Sequence, residues 1–556
     1  MPLQRIVVLA VALALGLVIA DGPPLASSPT SDSRMSRPFS AIPLHPDVVK
    51  DLKAKGRRLP NPFPNSANQG RKFNPTGDLV GPLVTPEQQR VLVLFIRPSG
   101  QVPGGPANRL VLATYFDTML FGTTYSPPEY LPYTSLNYPT DRTLFNYFQE
   151  VSYGNIDVVT VNLPSSLGWL SSEYPYSQYC EPDGTHDYGF GPYPRNAAGL
   201  VAEAIQLANP VVDFGAYAVN GEVPNLFVVH AGTGAEWSSD PSLIWSHSWS
   251  LSAATGLPVP VDGVIVDNYA IMPEVGGDTT GFLGNGAQQP YPPTVGVYAH
   301  EYGHVLGLPD QYDYGYESEG TGMLSLMAGG SWNAWPYRTI FWGNSPSHLD
   351  AWSKYRLGVL DPTVITTASA VTLPPVETAD VAYKMVVPNS GGREYFLLEN
   401  RQPIGFDKGL LYAFRSDGML YTLPVHDLAI YHIDDGVLTR NYWYPNEAEN
   451  WKEFRSEGWR RAWTGESHYG ISLIQADGWR HLERGWNYGD PGDLFPGLWG
   501  VTSFGNGTSP NSSSYYFWGG STPRFGYSGV TVDGVAESGG VVTATLSFNP
   551  WTPGSR

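Results

Sequence analysis

The sequence is poor in cysteine and in charge. Cys180 is the single cysteine among 556 residues, so an intrachain disulfide is excluded and stability has to come from a large apolar core or a bound metal. Charged residues make up only 15% of the chain and the formal net charge is −19, which argues against a surface for nucleic acid. The chain has instead 17 Trp, 34 Tyr, 62 Gly and 50 Pro, which favours short strands, frequent turns and aromatic packing.

Long apolar runs are also rare, because no segment beyond residue 20 predicts a membrane-spanning helix. Within the first 20 residues, Arg5 precedes an apolar run from Ile6 to Ala20, which is typical of a secretory signal peptide. A membrane anchor is the alternative, but about fifteen apolar residues are short for a span of roughly 20. We therefore expect a signal peptide at residues 1–20, a secreted extracellular protein, and no stable membrane association once the signal is removed.

Positive charge is concentrated near the amino terminus. Residues 1–75 carry ten Lys/Arg and four Asp/Glu, a net charge of +6, so with a total of −19 the rest of the chain carries −25. A basic leader on an acidic body can pack against an electronegative cleft, although a solvated linker would have the same composition. We predict that residues 21–88 form a linker and a pro-segment.

The rest of the chain predicts an α+β fold. The apolar run "RVLVLFIRP" from Arg90 indicates a buried strand, and "NAAGLVAEAIQLANP" from Asn196 has the apolar spacing of a helix. Beyond Leu360 the chain consists of short apolar or alternating runs separated by turn residues, which is typical of strands. We therefore predict a main domain at 89–360 and a β-rich carboxyl-terminal domain at 361–556, in a protein that we expect to be a monomer.

The stretch "VYAHEYGHVLGLPDQYDYG" from Val297 contains the residues of a candidate metal site. Residues four apart on a helix lie one above the other on the same face, so His300 and His304 can point their imidazoles at one ion. Glu301 lies beside them, where its carboxylate can reach metal-activated water without being a ligand.

The third ligand follows a predicted helix end. Gly307 can adopt the left-handed conformation that ends a helix, and Pro309 cannot continue it. The turn would bring Asp310 back toward the ion, leaving a fourth coordination position open, as in catalytic zinc sites. Three further acidic residues are close enough in sequence to replace Asp310: Asp313, Glu317 and Glu319.

These motifs resemble those of a known family. "HEYGHVLGLPD" is similar to the metzincin pattern, with Asp310 where most metzincins have a third histidine, and "SLMAGGSW" around Met327 resembles their Met-turn. With "EVSYGNIDVV", "LFVVHAGTGAEWSSDPSLIWSHSWS", "LAIYHIDDG" and "ISLIQADGWRHLERGWNYGDPGDLFPG", the chain from Val91 to Phe548 resembles the immune inhibitor A-type secreted metallopeptidases.

The resemblance implies a metzincin-like catalytic domain, with a twisted mixed sheet and an active-site helix, over residues 89–360. It also implies a zinc endopeptidase made by a bacterium as a zymogen, with Zn²⁺ and Ca²⁺ as cofactors and proteins or peptides as substrates. Glu301 would be the general base of the reaction. Met327 would be an apolar floor beneath the ligands, with no bond to the ion.

Other motifs are less specific. Asp477, Asp490 and Asp493 lie in Gly-flanked turns and are candidate calcium ligands, although such aspartates are also ordinary turn formers. Three tyrosines after Asp310 can place a phenol near a developing oxyanion, or can belong to a Tyr-rich surface loop: Tyr312, Tyr314 and Tyr316. "NSPSHLDAWSKYRLG" predicts a helix that begins at Ser345.

Two other functions fit part of these observations. One is a catalytically inactive cell-surface or glycan-binding protein that keeps the metallopeptidase fold, and the other is a zinc hydrolase that acts on something other than peptides. The intact set of His300, Glu301 and His304 argues against an inactive protein, because a binding protein does not need the glutamate.

Overall fold

A computed structural model of the chain describes residues 40–44, 48–49, 52–53, 55, 88–100, 113–125, 139–180, 188–277, 292–335, 342–414, 420–421, 423–448, 468–516 and 526–549. The predicted signal peptide and most of the predicted pro-segment lie outside these residues. Among the residues that are described, no helix is long and apolar enough to cross a membrane.

The α-helices of the described chain are short. They are α1 Ala113–Phe121, α2 Leu144–Val151, α3 Pro164–Leu167, α4 Ala197–Ala208, α5 Leu251–Thr255, α6 Val295–Val305, α7 Ala351–Leu357 and α8 Asp435–Arg440. Single 3₁₀ turns lie at Tyr176–Gln178, Phe214–Tyr217, Ala235–Trp237, Gly322–Leu324, Gly329–Trp332 and Gly405–Leu411.

The strands fall into several sheets. Up to residue 275 they are β1 Ser40–Ala41, β2 Gln88–Arg90, β3 Leu92–Ser99, β4 Asp157–Val159, β5 Trp169–Pro175, β6 Glu222–Val223, β7 Leu226–Thr233, β8 His247–Ser250, β9 Val259–Val261, β10 Val264–Val266 and β11 Asn268–Val275. Beyond residue 360 they are β12 Thr363–Val364, β13 Ser369–Leu373, β14 Tyr383–Val386, β15 Glu394–Arg401, β16 Ala413–Phe414, β17 Leu420–Tyr421, β18 Asp427–Asp434, β19 Ile471–Leu473, β20 Val530–Ser538 and β21 Val541–Phe548.

The largest sheet is mixed and has helices on both faces. Its order is β1-β8-β11-β7-β3-β5, with parallel pairs from β11 to β5 and antiparallel pairs from β1 to β11. Alternate residues of β3 pack on opposite faces of the sheet, which explains why its apolar run is continuous. Leu92 and Leu94 pack in a cluster with α4, whereas Val93 and Phe95 pack in a cluster with α6. Helix α6 therefore lies buried on one face of the sheet.

The strands beyond residue 360 form two further layers. The five-stranded sheet β12-β14-β15-β18-β19 packs one face against the three-stranded sheet β13-β21-β20, with Phe396 and Leu398 turned toward Val542. Its other face, which includes Leu397, shares a core with Trp352 of α7 and with α6. The apolar core is thus continuous across residue 360, and the domain boundary placed there stays a prediction.

The structure confirms a mixed α/β architecture with several sheets, and it corrects one helix. The helix predicted to begin at Ser345 begins instead at Ala351. The Asp350 carboxylate caps it by accepting the Ser353 backbone N–H at 3.0 Å. The Ser345 hydroxyl is used elsewhere, because it donates to the Phe406 carbonyl at 2.7 Å.

Candidate metal centre

Helix α6 packs against the predicted Met-turn at Met327. All of its residues are buried, and a Cβ added to Gly303 would lie 2.5 Å from the Met327 sulfur. The Met327 carbonyl in turn accepts the Gln311 backbone N–H at 2.8 Å, just after Asp310. Because position 303 is a glycine, the Met-turn can pack closely against α6 between the positions of His300 and His304.

The structure brings His300, His304 and Asp310 together. The two Nε2 atoms are 3.1 Å apart, and Asp310 Oδ1 lies 3.1 Å from His300 Nε2 and 3.3 Å from His304 Nε2. Ligand atoms at tetrahedral positions around zinc, each roughly 2.0–2.1 Å from the ion, are about 3.3 Å apart. The spacing of the three atoms therefore fits a single small divalent metal ion.

The backbone fixes which imidazole nitrogen faces the centre. His300 Nδ1 lies 2.8 Å from the Leu326 carbonyl, and His304 Nδ1 lies 2.9 Å from the Leu308 carbonyl. A carbonyl oxygen only accepts, so each Nδ1 carries the hydrogen and each Nε2 presents its lone pair to the centre. Burial also lowers the pKa of His300, which favours the neutral form that metal binding needs.

Asp310 lies beside the two histidines, and its role as a metal ligand stays a prediction. Gly307 has a φ of 101°, and its left-handed turn ends α6 and returns the chain toward the histidines. The Tyr314 hydroxyl donates to Asp310 Oδ2, while Oδ1 has no hydrogen-bond donor in the described chain. The hydrogen bond from Tyr314 favours the ionised form of this carboxyl, and the orphaned Oδ1 faces the two Nε2 atoms.

The three alternative ligands have other roles. Asp313 accepts backbone N–H groups of its own loop, from Gly315 at 3.1 Å to Ser318 at 3.1 Å. Glu319 lies 3.7 Å from the Lys53 ammonium, and burial raises its pKa to about 8. Glu317 also lies in this loop, with its carboxylate beside Gly315.

Glu301 lies next to the centre and is fully buried. Its Oε1 accepts the backbone N–H of Ile42 at 3.0 Å, and Oε2 has no hydrogen-bond partner within the described residues. Burial, together with the charge of Asp310, raises the pKa of this carboxyl well above its usual range. A carboxyl group that readily holds a proton is suited to accept one and to deliver it again.

The contact with Ile42 comes from the predicted pro-segment. Strand β1 forms one edge of the large sheet, where it pairs antiparallel with β8. Four apolar side chains in this part of the chain are each at most 4% exposed, namely Ile42, Leu44, Val48 and Leu52. This part of the chain therefore belongs to the core above the centre. No local sequence pattern indicates such a contact, since Ile42 and Glu301 are 259 positions apart.

The predicted calcium residues lie in a second cluster, which also contains a histidine. One ligand atom each from Asp477, His481 and Asp490 lies within 4.8 Å of the others. Asp493 is buried beside them, where its Oδ2 accepts the Asp490 backbone N–H at 2.7 Å. His481 was not predicted, and the only sequence signal for it is its spacing of four from Asp477.

The site lies in a region that matches a known catalytic domain. Residues 112–359 match the family described as "Immune inhibitor A peptidase M6, catalytic domain". A stretch of 212 residues is 30% identical to Immune inhibitor A of Bacillus thuringiensis subsp. alesti, covering 34% of this chain and 29% of that protein. A stretch of 184 residues is 30% identical to the pre-pro-metalloprotease PrtV of Vibrio cholerae serotype O1 (strain M66-2), covering 29% of this chain and 18% of that protein.

The matched domain and the site together resemble those of metallopeptidases. Within this class, the predicted resemblance to the immune inhibitor A type is confirmed, because the region matched by the M6 family contains the whole set from His300 to Met327. The chain covers less than a third of the length of either relative. Asp477, Asp490 and Asp493 lie beyond the region that the family describes.

Proposed function

We propose that the protein is a secreted, zinc-dependent endopeptidase that hydrolyses peptide bonds in extracellular proteins. The observation that carries the proposal is the spacing of His300, His304 and Asp310, whose three facing atoms lie 3.1–3.3 Å apart beside Glu301. Two neutral imidazoles and one carboxylate form a ligand set that leaves a zinc position open. Zinc bound there would polarise a peptide carbonyl and acidify the attacking water.

The residues of the chain would carry out the proton transfers. Glu301 accepts a proton from the water as its oxygen attacks the carbonyl carbon, and returns that proton to the nitrogen as the C–N bond breaks. The backbone carbonyls on the two Nδ1 atoms keep the imidazoles in one orientation throughout the cycle. Met327 packs beneath them and excludes water from below.

We also propose the metzincin-like arrangement for the catalytic domain and calcium ions as structural cofactors. The mixed sheet with α6 on one face, followed by a Met-turn in contact with that helix, supports the first. The aspartates of the second cluster support the proposal of calcium, since carboxylate oxygens are preferred ligands of this ion.

The proposal includes synthesis as a zymogen. The leader segment Ser40–Leu44 lies against Glu301 and β8, and it excludes bulk solvent from the glutamate. The Lys53–Glu319 ion pair agrees with the predicted attraction between a basic leader and an acidic body. Activation would require this segment to leave, since a substrate has to reach the same carboxylate.

Casein digestion by the purified full-length chain, after limited proteolysis of the leader, tests the proposal. We expect cleavage that a chelator abolishes and zinc restores. A Glu301→Gln chain should retain zinc but lose about 10²–10⁴-fold in turnover, because the ligands remain while the base is gone. A zinc-loaded chain that never cleaves peptides would contradict the proposal and favour the inactive cell-surface or glycan-binding protein.

A further inference from the structure

One peptide bond of the leader segment is held at both of its polar ends. The Ile42 N–H donates to Glu301 Oε1 at 3.0 Å and also points at the Ser246 carbonyl at 3.3 Å. The carbonyl of the same peptide unit, that of Ala41, accepts a hydrogen bond from the Tyr312 hydroxyl. A glutamate and a phenol therefore lie on opposite sides of the Ala41–Ile42 bond.

The main chain around this bond is held in an extended form. Ser40 and Ala41 pair antiparallel with Ser248 and His247 of β8. After the bond, two indoles donate to successive carbonyls, Trp245 to Ile42 at 2.8 Å and Trp332 to Pro43 at 3.0 Å. These contacts are made to the backbone, so any extended peptide of suitable size can make them.

The register of the segment follows from the role of Glu301. In the proposed reaction this residue delivers a proton to the nitrogen that leaves, so a nitrogen hydrogen-bonded to it occupies the position of the leaving amine. The Ile42 nitrogen has this position, and the Ala41 carbonyl then lies where the cleaved carbonyl would lie. The leader segment therefore binds in the register of a substrate.

We propose that Tyr312 is a catalytic residue, whose hydroxyl donates a hydrogen bond to the carbonyl oxygen of the bond to be cleaved, and that substrates bind in the register of Ser40–Leu44. The inference rests on the proposed peptidase function. Water adds its oxygen to the carbonyl carbon, the C–N bond breaks, and the proton carried by Glu301 ends on the amine. Tyr312 keeps its own proton and stabilises the negative charge that develops on the oxygen.

The surroundings of Tyr312 suit this role. The three tyrosines after Asp310 are buried and form a packed group, so the surface loop considered for them is wrong. The Tyr312 ring centroid lies 4.8 Å from that of Tyr314, whose hydroxyl donates to Asp310. The loop thus connects a metal ligand to the group that contacts the carbonyl, and packing holds the phenol in one place.

A Tyr312→Phe substitution tests the catalytic role in the full-length chain after limited proteolysis of the leader. We expect kcat on a peptide substrate to fall about 10²–10³-fold, as for loss of one oxyanion donor, with KM within about threefold and zinc content unchanged. The matched control is Tyr302→Phe on α6, because this buried hydroxyl has no hydrogen-bond partner among the described residues and lies outside the site. The control should keep the kcat of the unsubstituted enzyme. A Tyr312→Phe enzyme within twofold of it overturns the proposal.

Peptide cleavage tests the register without depending on the folding of a variant. The activated, unsubstituted enzyme is incubated with an equimolar synthetic peptide of residues 38–53, and the products are identified by mass spectrometry. We expect cleavage between Ala41 and Ile42. An intact peptide, or cleavage at another bond, overturns the register even where casein digestion supports the peptidase. An enzyme that digests neither casein nor the peptide contradicts the proposed function itself, and Tyr312 with it.

Discussion

Within the part of the chain that the structure describes, two groups of histidine and aspartate that could hold a metal differ in their hydrogen bonds. At His300 and His304, backbone carbonyls hold both Nδ1 atoms, and the Nε2 atoms converge on Asp310 Oδ1. At His481 it is Nδ1 that lies 3.1 Å from Asp490 Oδ2, and the Asn487 amide donates to that same oxygen at 2.8 Å. The first cluster presents acceptors to its centre, whereas the second already holds a donor.

The two clusters also differ in access. The ligand residues of the first are at most 1% exposed beneath the leader segment. In the second, the His481 side chain is 18% exposed, and its ring lies 5.3 Å from that of Trp479 and 5.7 Å from that of Trp486. A cation has to displace a hydrogen bond at the second cluster, but it only fills a prepared set of acceptors at the first. We therefore expect the two clusters to bind metal with different affinities, although they contain similar residues.

The largest expected effect comes from removing one histidine from each cluster. His304→Ala should lower zinc from one ion per chain to none and abolish casein digestion, because an imidazole and its fixed lone pair are lost. His481→Ala should retain both the zinc and the activity. Metal analysis of the two purified variants, beside a digestion assay, measures the difference. If the two variants lose zinc equally, the contrast between the clusters is wrong.

The difference in access can be removed by a substitution in the leader segment. Leu44→Asp places a carboxylate in the apolar contact above the first cluster, where burial of an unpaired charge costs several kcal/mol. Each 1.4 kcal/mol is about a factor of ten, so the unprocessed chain should gain at least about tenfold in activity. The assay is peptide cleavage before any proteolysis of the leader.

The control for this change is Val211→Asp, which adds the same charge at an exposed position away from the leader. It should leave the activity of the unprocessed chain as it was. An unchanged Leu44→Asp chain that becomes active only after proteolysis would mean that contacts elsewhere in the leader hold the segment in place.

The contrast also shows what a sequence alone can predict. The spacing of His300 and His304 and the helix end at Gly307 follow from the local geometry of a helix, so the first cluster was predictable. His481 was missed because its partner Asp490 is brought to it by a loop with no regular period. The contact between Ile42 and Glu301 depends on the pairing of β1 with β8, which no local pattern specifies.

The smallest expected effect concerns calcium at the second cluster. Burial, followed by the charge of Asp490, raises the pKa of Asp493 well above its usual value. When the pKa of a carboxyl is raised by folding, the folded state holds the proton more tightly than the unfolded state. The free energy of unfolding therefore falls as the pH rises above the pKa of the unfolded state, about 3.9 for aspartate. Free calcium at ten times its Kd would return about 1.4 kcal/mol, a rise of about one degree in the Tm of a chain of 556 residues. We therefore expect calcium to raise the Tm of the full-length chain at pH 8 more than at pH 5.

Asp493→Asn separates the charge of the carboxylate from its shape. In chelator at pH 8 the variant should melt above the unsubstituted chain, because the amide carries no buried charge, and calcium should raise its Tm less. Asp533→Asn, at an exposed position on β20, should leave the calcium response unchanged. An equal response of Asp493→Asn and the unsubstituted chain would mean that Asp493 Oδ1 does not face a cation. If calcium raised the Tm of neither chain, the second cluster would be a network of hydrogen-bonded turns, and of the two clusters only the first would be a metal site.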